Sequence, residues 1–233
     1  MADCDRDPVA AYRVNLDGTV SVLEAIRAVS PKTRLLFAST AQVYQGQDSE
    51  SEAPWRESRR LVPQNLYART KRAAEVAIQA FCADHGLSAV ILRLFNHAHF
   101  TQSPAFFLPH LHQSLVRGER TIPVGNLDLW RDIGSLQDLL AAFQGVLTRL
   151  KPAEGVSEIF NVCSGKAKKL ADIAAELARQ MGVQAAFEPQ ASRIRPGEPV
   201  RMEGDSSKLQ KALNWSPQAA DSESLIRSFL RPL

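Results

Sequence analysis

Residues 34–44, RLLFASTAQVY, decide the fold. An apolar run of strand length, 34–38, passes directly into the hydroxyls Ser39 and Thr40 and then into a turn. Upstream, residues 8–29 read as a helix. Pro8 suits its first turn, Leu16, Val20, Leu23 and Arg27 follow helical spacing, and Ser30-Pro31 ends it. Downstream, residues 45–65 are polar and proline-containing and read as a surface loop. Residues 66–84 are Ala-rich and helical, closed by Gly86 as a C-cap glycine closes a helix. Residues 88–94, SAVILRL, form a buried strand. Helices alternating with apolar strands imply an α/β fold with a Rossmann-like parallel sheet.

The remainder continues with an irregular stretch at 96–104, a helix at 105–117, a short strand at 121–124 and a helix at 135–150. IFNVCSG (159–165) reads as a strand ending in glycine, and 168–181 as an amphipathic helix. An extended piece near 184–188, an Arg, Pro and Gly loop at 193–199, and helices near 205–213 and 221–230 complete it. A doubly wound domain normally opens with a strand, a glycine-rich turn and a helix. This sequence opens with a helix, and GxGxxG, GxxGxxG and GxxxxGK[ST] are all absent from it.

Bulk properties narrow the class. The 233 residues are 45% apolar and 23% charged, an ordinary globular mixture. The net charge of +3 is scattered, apart from Lys166, Lys168 and Lys169, whereas a nucleic-acid binder concentrates charge on one face. No stretch reaches the ~20 apolar residues of a membrane span. Cys4, Cys82 and Cys163 are odd in number and far apart, the usage of a reducing compartment, and the acidic start is not a signal peptide. A cytoplasmic protein without nucleic-acid or membrane partners is expected.

The strongest chemical signal is Tyr67-Ala-Arg-Thr-Lys71. Four residues apart on a helix, phenol and ammonium share a face. A nearby cation favours phenolate and lowers the phenol's pKa, so the pair suits general acid–base chemistry near neutral pH. Ser39 and Thr40 stand at the carboxyl end of a strand, where open α/β sheets gather functional groups. A hydroxyl there either binds a substrate oxygen or simply caps a turn.

The ordered series FASTAQVY, NLYARTK and LRLFNH resembles the extended short-chain dehydrogenases that act on nucleotide-sugars, with a strand ending in S-T-x-x-V-Y, then Y-x-x-x-K, then R-x-x-N. Asn15-Leu16-Asp17-Gly18-Thr19 resembles the N-x-x-G-T segment. Val124–Asp128 with Arg131-Asp132, Asn161–Gly165, Arg195–Glu198, Gly204-Asp205 and Asn214–Pro217 follow in the family's order. The pattern is most similar to the GDP-4-keto-6-deoxy-mannose reductases and their GDP-mannose 4,6-dehydratase relatives. The resemblance implies Tyr67 as acid–base, Lys71 lowering its pKa and holding the nicotinamide ribose, and Thr40 as the substrate-binding hydroxyl. It implies Asn15 as a helix-bending member of the catalytic set, and Ser39, Leu94 and His97, with Tyr67 and Lys71, as contacts to NAD or NADP. Asn96 would lie in the substrate cleft, Arg131 and Arg195 would clamp the diphosphate of a nucleotide-diphosphate sugar, and Glu198 would hold the nucleotide ribose. It further implies a homodimer through the helices 8–29 and 66–84. Residues 1–95 with 133–165 would form the remaining part of the Rossmann domain, and 96–132 with 166–233 a small α/β substrate-binding lobe.

Departures refine this. Dehydratases carry a Glu where this chain has Gln42, and an amide cannot act as a carboxylate base, so reduction of a 4-keto sugar fits better than dehydration. Leu66 replaces a proline, and HAHFTQSP (97–104) replaces the usual G-P stretch. The glycine-rich front of the family is missing. A truncated chain is therefore expected, binding its cofactor weakly. An epimerase, or a catalytically silent dimerising subunit, are the other readings. His97, His99, His110 and His112 lack acidic or Cys partners at ligand spacing, so no metal is expected. Cys163 reads as a buried small hydrophobe in a strand.

Overall fold

Asp7 starts the first helix by accepting the N–H of Ala10 at 2.9 Å, with proline in the first turn. The computed structural model describes residues 4, 6–44, 54–194 and 197–231. Helix α1 (Pro8–Tyr12) widens into a π-helical segment, Arg13–Asp17, and returns to α-helical geometry in α2 (Gly18–Val29). Strand β1 (Leu35–Thr40) and a 3₁₀ turn (Ala41–Tyr44) follow. Helix α3 (Leu66–His85) is capped at its start by the Asn65 side chain and closed by Gly86 at φ 70°. Strand β2 (Ala89–Leu94) then leads into β3 (Asn96–Ala98), α4 (Phe107–Val116), β4 (Thr121–Val124), β5 (Trp130–Ser135) and α5 (Leu136–Arg149). The chain continues through β6 (Ser157–Val162), β7 (Ala167–Lys169), α6 (Leu170–Met181), β8 (Ala186–Pro189), β9 (Arg201–Met202), α7 (Ser207–Leu213) and α8 (Ser222–Phe229).

Strands β1, β2 and β6 form a parallel sheet in that order, with Leu35 opposite Ala89 and Ala89 opposite Ser157. β2 lies at the centre, which explains its uninterrupted apolar run. Its alternate residues serve two cores. Ala89 and Ile91 pack with Leu23, Ile78, Cys82 and Leu87 under α2 and α3. Val90 and Leu92 pack with Ala142, Val146, Phe160, Leu209 and Leu213 under α5 and α7. Helices on both faces of a parallel sheet are the Rossmann-like arrangement the sequence predicts.

A second sheet is built around β5, whose Ile133–Ser135 pair in parallel with β3 and whose Trp130–Asp132 pair antiparallel with β7; β9 joins it in parallel at Trp130 and Arg131. β4 and β8 form a separate parallel pair. Between them Leu111, Ile122, Val124, Ile173, Leu177, Leu225, Ile226 and Phe229 form the core of this lobe.

The structure alters several sequence expectations. WRDIGS (130–135) is a strand although it is half polar, because its buried Asp132 accepts the N–H groups of Ser164 and Gly165 at 2.8 and 2.9 Å. The irregular stretch at 96–104 opens with β3. The strand expected over 159–165 ends at Val162, and Cys163 lies buried just beyond it. Among the described residues no helix is long and apolar enough to cross a membrane, and no cluster of three metal-ligating side chains occurs.

The two outer edges of the parallel sheet differ. Along β6, the Glu57 carboxylate accepts the N–H of Asn161 at 2.8 Å and the Lys208 ammonium donates to the carbonyl of Ile159 at 2.7 Å. A cleft of about 710 Å³ lined by Arg56, Glu57, Ser157, Lys208 and Lys211 runs beside that edge, and it contains none of the predicted site residues. Among the described residues β1 pairs only with β2, and Ala38 in it is exposed.

Candidate active site

Ser39, Thr40, Tyr67 and Lys71 lie where β1 ends and α3 begins, and Asn15 reaches the same end of α3 through Thr70. Thr40 is buried, and its Oγ1 accepts the N–H of Gln42 at 3.2 Å, so it caps the 3₁₀ turn. Its hydroxyl proton meets no protein acceptor among the described residues and remains available to a ligand oxygen. The turn-capping and ligand-binding readings of Thr40 are thus compatible. Ser39 points inward, and its hydroxyl donates to Glu75 Oε1 at 2.5 Å, which leaves its backbone as the part it can offer a cofactor.

Tyr67 lies in the first turn of α3 and is half-buried. Its phenol is shifted opposite to the sequence expectation. Burial raises its pKa, and the neighbouring Cys4 acts in the same direction. Lys71 does not set that shift. Its ammonium is engaged with β1, donating to the Ala38 carbonyl at 3.0 Å and lying 4.7 Å from the centre of the Phe37 ring. Burial lowers the pKa of Lys71, with Cys4 opposing. In this arrangement the pair holds a protonated phenol beside a cation committed to the sheet edge.

Asn15 sits inside the π-helical segment. The widened turn leaves backbone groups for other partners: Thr19 Oγ1 donates to the Asn15 carbonyl at 2.7 Å. The Asn15 side chain donates to Thr70 Oγ1 at 3.1 Å, and Thr70 donates to the Tyr67 carbonyl at 2.9 Å. Asn15 therefore ties the bent helix to the turn of α3 that carries Tyr67.

On the lobe side, Arg131 and Glu198 meet each other at 3.6 Å. Arg131 is buried, and its Nη1 donates to the carbonyls of Trp130 and Pro199, each at 2.9 Å. Burial lowers its pKa, with Glu198 opposing. Asn96 is exposed at the start of β3, and Leu94 is half-buried at the end of β2. His97 bonds the Phe95 carbonyl through Nδ1 at 2.8 Å, and burial depresses its pKa to about 4, so it is neutral at pH 7. Arg195 lies outside the described residues. His110 and His112 serve different surroundings, as a helix requires of residues two apart: His110 bonds the Pro123 carbonyl, and His112 packs edge-on against Phe229.

Sequence reasoning missed the network beneath the site. Arg93 bridges both oxygens of Glu75 at 3.0 and 2.8 Å and donates to Tyr44 Oη at 2.9 Å, and Tyr44 donates to Asn161 Oδ1 at 2.8 Å. Burial pushes the Tyr44 phenol up to about 12. A buried ion pair needs such full hydrogen bonding to offset desolvation. Its sequence signal was the lone charge in SAVILRL together with Glu75, one turn beyond Lys71.

The sequence model of the family described as GDP-mannose 4,6 dehydratase matches residues 5–228. A GDP-6-deoxy-D-mannose reductase of Pseudomonas aeruginosa is 28% identical over 225 residues, covering 94% of this chain and 72% of the relative. A GDP-mannose 4,6 dehydratase of Cricetulus griseus is 26% identical, covering 96% and 65%. Among solved structures, that of RMD from Pseudomonas aeruginosa complexed with NADPH superposes with a TM-score of 0.87 at 28% identity, covering 98% of this chain and 76% of that one. The fold, the ordered motifs and this match along nearly the whole sequence together show that the chain belongs to the GDP-mannose 4,6-dehydratase family, within the nucleotide-sugar epimerases and dehydratases of the short-chain dehydrogenase class.

Proposed function

We propose that this chain serves NAD(P)-dependent reduction of a GDP-4-keto-6-deoxy-hexose. The observation that carries this reading is the placement of Lys71. Its ammonium on the Ala38 carbonyl fixes the Tyr67 helix against β1 two residues before Thr40. The similar RMD structure carries NADPH, and the residues here suit the nicotinamide end of such a cofactor. Lys71 and Tyr67 would face the ribose, His97 and Leu94 the ring, and Ser39 would contribute backbone. The cofactor supplies hydride when bound. The chain's residues handle the proton. Tyr67, a phenol that burial holds in its protonated form, donates its proton to the ketone oxygen, Thr40 donates a hydrogen bond to the same region, and Lys71 keeps the helix that carries the phenol against β1. Arg131 and Arg195 would clamp the diphosphate, a role whose forked geometry suits guanidinium, and Glu198 would hold the nucleotide ribose. Asn96 would border the sugar. Gln42 supports reduction over dehydration, since its amide offers no base.

The chain lacks a glycine-rich turn to receive a pyrophosphate at a helix N-terminus, so its grip on NAD(P) is weak. Residues 1–95 with 133–165 act as the cofactor side and 96–132 with 166–233 as the substrate side. The free thiols Cys4, Cys82 and Cys163 suit the cytoplasm. Calorimetric titration of the full chain with NADPH and with NADH tests the cofactor claim. Affinity weaker than about 100 μM is expected, and single-digit micromolar binding of either would overturn it. A catalytically silent binding subunit is the second reading, supported by the same missing turn.

A further inference from the structure

Two side-chain amides beside Thr40 are oriented by a group whose polarity is not open to choice. The backbone N–H of Ala68, in the first turn of α3, donates at 2.9 Å to the side chain of Asn65, so the accepting atom is the carbonyl oxygen Oδ1. The other arm, Nδ2, is then a donor, and it points 2.9 Å from the Gln42 side chain. The atom of Gln42 that receives it is therefore Oε1, and the free end of that amide is Nε2 with its two N–H groups. Among the described residues these N–H groups meet no protein acceptor. A helix cap thus sets the direction of a glutamine on a different element.

The position of that glutamine matters. Gln42 is half-buried, its own backbone N–H is held by Thr40 Oγ1 at 3.2 Å, and Asn65 stands two residues before Tyr67. Thr40 is oriented by the same logic: its oxygen accepts from Gln42, and its proton is left to give. Tyr67, with its pKa raised by burial, also presents O–H. Three groups, one each from β1, the 3₁₀ turn and α3, therefore offer donors.

We propose that Gln42, locked by Asn65, is a specificity-determining residue that presents only donor N–H groups to the sugar of a nucleotide-sugar. It suits a ketone oxygen, which can only accept, and leaves the proton of a hydroxyl at the same point without an acceptor. This rests on the nucleotide-sugar reading given above. The lock also predicts how to reverse it. In Asn65→Asp the carboxylate still caps α3, because Asp caps a helix as well as Asn. The second oxygen of that carboxylate now calls for a donor, so Gln42 turns, gives Nε2 to it and aims Oε1 at the sugar.

The test uses the full chain and its Asn65→Asp variant. Side-chain amide resonances of Gln42 are recorded by NMR, and affinities for GDP-4-keto-6-deoxy-mannose and for GDP-mannose are measured by calorimetry. The expected result is a displaced Gln42 amide signal and a ratio of the two affinities moved against the keto sugar by about tenfold or more, as a reversed hydrogen bond costs. An unmoved Gln42 signal overturns the lock. A moved signal with an unchanged ratio overturns the role in specificity while leaving the nucleotide-sugar reading intact. If the wild type binds neither sugar, the nucleotide-sugar reading itself falls and the specificity role with it.

Discussion

At the scale of single residues, the site is defined by what burial does to groups that would otherwise titrate freely. His97 gives a pH dependence with a definite sign. Its folded pKa is about 4 against an ordinary 6.5, so the unfolded chain binds the extra proton first as the solution is acidified. Stability contributed by the neutral ring is present above about pH 6.5 and is lost as pH falls toward 4. Denaturant titrations of the wild type and His97→Asn at neutral and mildly acidic pH check this. Asn keeps a donor for the Phe95 carbonyl but cannot be protonated, so the variant should lose less stability between the two conditions; parallel losses would contradict the assignment. Tyr67 carries the complementary lesson. The i, i+4 spacing placed phenol and ammonium on one helix, yet spacing alone does not show where the ammonium goes, and in the folded protein it goes to Ala38.

At the scale of elements, Gly204 shows why one position admits only hydrogen as a side chain. A Cβ there would lie 2.6 Å from both Cys163 Sγ and Phe95 Cζ. Its N–H reaches the Asp132 carboxylate at 3.3 Å, and it bridges to Trp55. Gly204→Ala should destabilise the protein by roughly 1–3 kcal/mol through overpacking, read as a lowered melting temperature, and an unchanged melting temperature would show that Phe95 and Cys163 give way. Helices and the parallel strands were legible in the sequence because their signals are local: Pro8 at a helix start, Gly86 at an end, an unbroken apolar run in β2. Strand β5 was not. Arg131 and Asp132 read as loop residues until their partners are known, and those partners, Pro199, Ser164, Gly165 and Gly204, lie more than thirty residues away in sequence. The Thr40, Tyr67, Lys71 and Asn15 positions were legible through their ordered motifs, whereas the Asn65–Gln42 contact and the Glu75–Arg93 pair depend on side-chain direction, which motif order does not carry.

At the scale of the whole molecule, Asp132 joins the two halves. It belongs to β5 of the lobe, and its carboxylate accepts from Ser164, on the segment leaving β6 of the parallel sheet, through both backbone N–H and hydroxyl at 2.8 and 2.6 Å. Association is the property to measure at this scale. Val14 on the π-helical segment, Val22 on α2 and Val76 on α3 are exposed and would supply apolar surface to the homodimer that the family resemblance implies. Light scattering should report a mass of two chains, and a monodisperse single chain at high concentration would count against it. The edges of the parallel sheet limit how far any association can go. Glu57 and Lys208 stopper the β6 side by occupying the backbone groups a newcomer strand would need, and Lys71 does the same on β1 at the Ala38 carbonyl. A sheet whose outer strands both carry such plugs cannot serve as a repeating unit, so its self-assembly is a terminating step rather than a chain reaction.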